Sequence, residues 1–316
     1  MDEQKFEFKN INCPVCDGND PCFLGWRGGE AHHSGNGVKT SIVRCGKCSH
    51  QYPNPMPFPV DGNLDDIYVN AEEYFRGHDV ENKKKLGLEL ITGFESRIGR
   101  KGRFLDVGCG AGEFLWAAKE SGWAYEGVDP SSEFINIGKE HYAVEGRVCL
   151  LEDANFPDEH FDAISMSSVL EHIYEPVELL KEIRRILKPG GVFWFDAPNE
   201  DGLYMRAGNL YMKIRRRDWV VTMAPTFPPY HVQGFNPRSL RELARRTDFE
   251  LEKIRMFGSV WEFTGEKSVR KKVEFAAARF LTRIGNLFDQ GTYMSVWARK
   301  PVMAESSIED SRPLSS

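Results

Sequence analysis

"FLDVGCGAGEFLWAA" (residues 104–118) runs an apolar segment into Asp106, places glycines at 108, 110 and 112, and continues as a helical pattern. Glycines at alternate positions permit a tight strand-to-helix turn and let the main chain approach a ligand at the positive end of a helix. A tight connection without a ligand has the same glycines, so the neighbouring stretches decide the reading. About 20 residues further on, "AYEGVDPSS" (124–132) supplies a second apolar run ending in Asp129, where a parallel α/β fold sets a carboxylate against ribose hydroxyls.

Short apolar runs then alternate with helical patterns. The runs are "RFLDVG" (103–108), "AYEGVD" (124–129), "FDAISMS" (161–167) and "GVFWFDAP" (191–198), with helices expected at 112–121, 131–141 and 176–187. This alternation is the pattern of βαβ units and a parallel sheet. Pro176 suits a first helical turn, and "KPGG" (188–191) marks the stop. Later, "SLRELARRT" (239–247) predicts a helix capped near Asn236, and "FELEKIRMF" (249–257) and "TYMSVWARK" (292–300) predict strands. Upstream, "NKKKLGLELITGFESRI" (82–98) predicts a helix with Leu86, Leu90, Ile91, Phe94 and Ile98 on one face.

Residues 1–58 have a different character, rich in Gly, Pro, Cys and His, and end in the proline-dense "YPNPMPFPV" (52–60). "CPVC" (13–16) and "CGKC" (45–48) are two Cys-x-x-Cys knuckles. Cys13, Cys16, Cys45 and Cys48 would bring four thiolates together in the tetrahedral set zinc prefers, a closed structural site with no position for catalysis. Structural zinc contributes about 10 to 16 kcal/mol, which a module with so little core of its own needs in order to fold. Cys22, Cys109 and Cys149, and the pair His32 and His33, stand outside this set.

In 316 residues, 41% hydrophobic and 28% charged content with a net charge of −6 describe a soluble globular protein with no overall nucleic-acid character. The opening "MDEQKFEFKN" has no secretory pattern, and no apolar run reaches the roughly 20 residues that span a bilayer. A reducing, cytoplasmic location is expected, where disulfides are rare. The expected organisation is a zinc ribbon (1–58), a connector and helical cap (59–100), a principal domain (101–300) and a disordered tail (301–316). Oligomeric state is left open by the sequence.

In order, "LDVGCGAGEF" (105–114), "GVDPS" (127–131), "LEDANFPDEHFDAISMSSVLEHI" (151–173) and "LKPGGVFWFDAPN" (187–199) resemble class I S-adenosylmethionine-dependent methyltransferases over roughly residues 100–300. The resemblance implies a Rossmann-like, seven-stranded, mostly parallel sheet with an antiparallel last strand. It also implies that Gly108, Gly110 and Gly112 make room for S-adenosylmethionine, with Asp106 near the cofactor's amino group and Asp129 on its ribose. Asp153 would face the adenine amino group, the Ala154 amide an adenine ring nitrogen, and Phe156 or Phe134 the purine face. Ser167 and Ser168 would border the pocket, supported by Glu171 and His172, the latter a candidate base.

On the acceptor side, "PPYHVQGFNPRSL" (228–240) carries His231, whose ordinary pKa near 6.5 suits proton abstraction, with Tyr230 and Tyr74 as substrate contacts. A ribbon joined to this domain resembles uncharacterised bacterial methyltransferases and, more loosely, sugar C-methyltransferases, although here Tyr230 rather than a Glu precedes His231. The expected activity is methyl transfer to a small or medium acceptor, possessing phosphate in some cases, of the saccharide or nucleotide-linked precursor class. Two rivals follow from other features. Basic runs "KIRRR" (213–217) and "RKK" (270–272) favour an RNA methyltransferase, against a ribbon without interleaved aromatics for stacking on bases. A non-catalytic zinc-binding adaptor would need a degenerate cofactor site, which the intact Gly108, Gly110 and Asp129 oppose. The basic, amphipathic "VRKKVEFAAARFLTRIGNLF" (269–288) is expected to pack on the domain rather than lie on a membrane.

Overall fold

The structure is a computed structural model that describes residues 5–32, 35–60, 80–221, 223–258 and 269–302. His33, Tyr74 and nearly all of the expected tail lie outside the described residues.

The principal sheet takes β6 (Arg103–Val107), β7 (Ala124–Asp129), β8 (Arg147–Val148), β9 (Phe161–Met166), β10 (Leu187–Pro198), β11 (Glu250–Phe257) and β12 (Tyr293–Arg299). Its order is β11-β12-β10-β9-β6-β7-β8. Every pairing from β10 across to β8 is parallel, whereas β12 runs antiparallel to both β10 and β11. This is the Rossmann-like, seven-stranded sheet with an antiparallel last strand. The chain leaves β6 in one direction towards β8 and returns on its other side with β9, so the topological switch point lies between β6 and β9. Ligands in open α/β sheets bind at the carboxyl ends of the strands at that point.

β6 and β9 are buried almost throughout, as strands covered on both faces by helices must be. Phe104, Leu105, Phe161 and Ile164 fill the two faces with no exposed surface. The helices are α1 (Val80–Ile98), α2 (Glu113–Glu120), α3 (Ser132–Tyr142), α4 (Pro176–Ile186), α5 (Leu203–Ile214), α6 (Pro237–Arg246) and α7 (Val269–Leu287). Along α1, Leu90, Ile91 and Phe94 are buried, but Leu86 is exposed, contrary to the expected apolar face. The departure has a local cause: the neighbouring Gly87 fits against Ala117 and Phe114 of α2, and an added Cβ there would stand 2.9 Å from Ala117, so Gly87 rather than Leu86 faces the contact. The expected cap near Asn236 is present, its side chain accepting from the Arg238 and Ser239 amides ahead of Pro237. α5, which buries no residue fully, was not foreseen from the sequence.

Five short strands, β1 (Phe6–Lys9), β2 (Pro21–Arg27), β3 (Thr40–Cys45), β4 (Gln51–Pro53) and β5 (Met56–Pro59), form a two-stranded and a three-stranded sheet. They share a continuous core with the principal sheet, in which Val15, Tyr52 and Met56 join Phe235 and Leu243. Polar contacts extend the junction. Gln51 and Gly234 exchange main-chain hydrogen bonds of 2.9 and 2.7 Å. His50 Nε2 lies 2.7 Å from Gln233 Oε1, and Arg44 pairs with Asp201.

Candidate active site

The glycines between β6 and α2 all have positive φ, +69° at Gly108, +51° at Gly110 and +82° at Gly112, a region that L side chains avoid. Their reasons differ, which corrects the expectation that all three clear space for a ligand. A Cβ at Gly108 would come 2.4 Å from Val169 Cγ2, and one at Gly112 would come 2.7 Å from Val144 Cγ2. Only the Cβ of Gly110 would meet nothing within 4 Å. Two glycines therefore serve internal packing, and Gly110 presents bare main chain to open space.

Three aspartates stand at or near carboxyl ends of strands around that space. Asp129, the last residue of β7, accepts from the Gly110 amide through Oδ2 and from the Ser131 amide through Oδ1, both at 2.9 Å. It ties the glycine loop to the start of α3 and keeps further lone pairs for a diol. Burial raises its pKa against those two amides. Asp106, in β6, accepts from Ser165 Oγ at 2.5 Å, and burial pushes its pKa up to about 7, with Glu113 and Asp129 adding to the rise. Asp196, in β10, accepts from the Ser168 amide at 2.6 Å and from Ser167 Oγ at 3.1 Å. Burial lifts it to about 6. Ionising buried carboxyl groups is costly, and the charge of Lys83 offsets only part of that at Asp106 and Asp196. A ligand carrying an ammonium and two hydroxyls fits this arrangement, as S-adenosylmethionine does.

On the expected adenine side, Asp153 is exposed in a 3-10 turn, Glu152–Ala154. The Ala154 amide already donates to Leu151 O at 3.2 Å, a use that competes with an adenine nitrogen. Phe134 and Phe156 are both buried; Phe156 meets Phe161 edge-on and carries the Arg147 guanidinium over its ring. Phe156 belongs to the main hydrophobic core, whereas Phe134 is buried outside it. Ser167 is spent on Asp196, so it acts on the pocket through that carboxylate.

Val169, packed against Gly108, leads into a 3-10 turn, Leu170–His172. Across from it comes the loop carrying His231, held because the Glu171 carbonyl accepts from the Val232 and Gln233 amides, both at 3.0 Å. Glu171, His172 and His231 each place one polar atom within 4.8 Å of the others. His231 Nε2 is 3.9 Å from Glu171 Oε1, and the two imidazole rings meet edge to face with centroids 4.9 Å apart. Burial raises Glu171 to about 8 and lowers His172 to about 4 and His231 to about 3, the last helped by His172. Tyr230 stands beside them with φ +57°. The sequence-predicted His172 and His231 are thus brought together, His172 on the segment whose Val169 packs on Gly108.

Away from this pocket, the four knuckle cysteines are buried with Cys13 and Cys48 sulfurs 3.6 Å apart and Cys16 and Cys45 sulfurs 3.4 Å apart. A zinc–sulfur bond of about 2.3 Å puts tetrahedral sulfurs about 3.8 Å apart, close to these spacings. Amides of Val15, Cys16, Gly18 and His50 point hydrogen bonds at the sulfurs; the bond with Cys48 and burial push Cys13 up, burial pushes Cys16 up, and the bond from Cys13 brings Cys48 down to about 6. The donor set fits zinc.

Sequence reasoning did not assign Asp196 a role, nor Lys83, whose charge acts on both Asp106 and Asp196 from the first turns of α1. Asp196 carried a signal, since like Asp106 it is an acidic residue close to the end of an apolar run. Lys83 carried none, being one of three consecutive lysines on a polar helix face.

A family described as "Methyltransferase domain" matches residues 78–254. Similar curated proteins include a ubiquinone biosynthesis O-methyltransferase of Thiobacillus denitrificans, 25% identical over 159 residues, covering 48% of this chain and 66% of that one. The counterpart of Coxiella burnetii is 32% identical over 117 residues, covering 34% of this chain and 48% of that one. The chain thus spans about half to two thirds of the length of these relatives. Among solved structures, a SAM dependent methyltransferase from Archaeoglobus fulgidus aligns with a TM-score of 0.48 at 22% identity, covering 72% of this chain and 97% of that one.

Proposed function

The chain belongs to the methyltransferase-domain family and is an S-adenosylmethionine-dependent methyltransferase; from that premise we propose that it methylates a hydroxyl oxygen of a small or medium acceptor, of the saccharide or nucleotide-linked precursor class. The observation that carries the reading is the Glu171–His172–His231 cluster, a largely buried set of polar groups where the loop bearing His231 meets the segment after β9, whose Val169 packs on Gly108. A hydroxyl needs such a group, since its proton must leave as the oxygen attacks. The names of the similar O-methyltransferases support oxygen as the atom. The ribbon supports the saccharide class, through the sugar methyltransferases that its combination with this domain resembles.

Asp129 and the Gly110 main chain would hold the nucleoside, and Asp106 the amino-acid end of the cofactor. The bound cofactor supplies an electrophilic methyl group on a sulfonium. The chain's own part is to align the acceptor oxygen with it, which supplies much of the rate in an in-line displacement. The acceptor oxygen would receive the methyl group, with S-adenosylhomocysteine left to depart, while the chain's own residues would lead the acceptor O–H proton away to water past the cluster. The four-cysteine site is proposed to hold structural zinc, and its closed ligand set takes no part in the transfer.

The test is turnover with methyl-labelled S-adenosylmethionine against sugar nucleotides, free glycosides and phenols, with the labelled product analysed by carbon NMR. An O-methyl signal with loss of one acceptor hydroxyl is expected. A labelled N-methyl or C-methyl product would overturn the assignment to oxygen.

A further inference from the structure

The geometry points to a second metal site: Glu171, His172 and His231 bind one divalent first-row cation, with coordination positions left open towards the acceptor. Its role in the reaction rests on the hydroxyl-acceptor reading, whereas the binding itself does not.

Two buried polar atoms of the cluster, Glu171 Oε2 and His172 Nδ1, have no hydrogen-bond partner. Glu171 is only 2% exposed. Buried polar atoms are nearly always satisfied, and those that are not call for an ion or water at the same place. Orientation is consistent with ligation as well. The carbonyls of Pro229 and Tyr230 face the His172 ring, and Nδ1 has no partner; a proton on Nε2 leaves the lone pair on Nδ1, the second-sphere arrangement metal-binding histidines have. The carboxylate is held in turn through its backbone carbonyl by the Val232 and Gln233 amides, so the residues flanking His231 are locked to the residue bearing the carboxylate. Asp196 places another carboxylate near Glu171 and strengthens the local demand for positive charge.

Metal bonds of about 2.1 Å put adjacent ligand atoms about 3 Å apart. The 3.9 Å between His231 Nε2 and Glu171 Oε1 closes to that value by small side-chain rotations. Two imidazoles and one carboxylate select Mn²⁺, Fe²⁺, Co²⁺ or Zn²⁺ over Ca²⁺ and Mg²⁺, which prefer all-oxygen shells. Three protein ligands leave room for an acceptor oxygen, whose acidity the cation would increase. A vicinal diol or a catechol, able to chelate with two oxygens, is the acceptor chemistry such a centre takes best.

Mn²⁺ is the probe, because thiolate sites take it poorly and the ribbon can be kept filled with zinc. Full-length, zinc-replete protein is titrated with Mn²⁺ by electron paramagnetic resonance, with and without S-adenosylhomocysteine, for the wild type, Glu171→Gln and His231→Asn. The expected result is one Mn²⁺ per chain in the wild type and at least 100-fold weaker binding in both variants, with S-adenosylhomocysteine affinity within about threefold of wild type. Failure of the wild type to bind Mn²⁺, Co²⁺ or zinc beyond the ribbon site overturns the proposal, as does Mn²⁺ binding unchanged by both substitutions. Retained S-adenosylhomocysteine binding in those cases leaves the methyltransferase standing, and the NMR of the product decides the oxygen reading separately. Should Glu171→Gln lose S-adenosylhomocysteine as well, the His231→Asn result decides.

Discussion

Replacing Asp106 by Asn should stabilise the protein and impair it together, with a defined pH dependence. Burial moves the Asp106 carboxyl from 3.8 to about 7, so ionising it in the folded chain costs up to about 4 kcal/mol. Part of that cost comes from Glu113 and Asp129, whose charges persist in the variant and relax when Asp106 is neutral. Asn keeps the shape and an oxygen for Ser165 Oγ, so a net gain of about 1 to 3 kcal/mol is expected at pH 8. The sign follows from the direction of the shift. A folded carboxyl with a raised pKa contributes stability below the unfolded value near 4 and loses it as pH climbs through about 7. The variant and the wild type should therefore coincide near pH 4, diverge as pH rises towards about 7, and stand several degrees apart in Tm at pH 8, the variant higher. Cofactor binding moves the other way, because a charge-assisted contact of about 1.5 to 3 kcal/mol is lost, roughly 10- to 100-fold in Kd. Urea and thermal unfolding across pH 5 to 8, with calorimetric titration of S-adenosylhomocysteine, measure both. An Asn variant less stable than wild type at pH 8, or one binding the ligand as well as wild type does, would refute the reasoning.

The remaining expectations concern the same pocket and the ribbon. Asp129→Ala removes the acceptor of the Gly110 and Ser131 amides and the proposed ribose contact, so cofactor affinity should fall at least 100-fold by calorimetry. Gly108→Ala drives a Cβ into Val169 and should lower stability by about 2 to 4 kcal/mol in urea. Gly110→Ala, with open space before it, should cost only about 1 kcal/mol for its positive φ while weakening cofactor binding more than tenfold. Wild-type S-adenosylhomocysteine affinity should rise as pH increases towards about 7 and then level off, with proton release on binding at pH 6 detected as a buffer-dependent heat.

The sheet was legible because its strands are short apolar runs between helices of a different period, and "FLDVG" and "YEGVD" carry carboxylates near or at their ends that mark the ligand edge. The knuckles were legible from spacing alone. α5 was not: "LYMRAGNLYMKI" has apolar residues on several sides and buries none of them fully, so no single face declares itself. The roles of the three glycines could not be divided from sequence either, since Val144 and Val169 reach them through the fold. Phe134 and Phe156 show the same limit in reverse, as an aromatic near a motif fits a stacking role and a core role equally well until its neighbours are known.

What joins the ribbon to the chemistry is likewise invisible in one dimension, and it gives the zinc a consequence beyond the ribbon. His50 follows Cys48 by two residues, and its ring bonds to Gln233, two residues from His231. Gln51 and Gly234 pair next to that contact, and Asn236 Nδ2 donates to Ser49 O at 2.6 Å. The second knuckle therefore forms one wall of the loop that carries His231. A domain that cannot fold without metal transmits that dependence to whatever its backbone supports. Removing the proposed zinc with a chelator should raise amide hydrogen exchange over residues 224–236 as well as over the ribbon, while exchange in β6 and β7, inside the separate seven-stranded sheet, stays slow. Exchange confined to the ribbon would mean that the loop is held by the sheet alone.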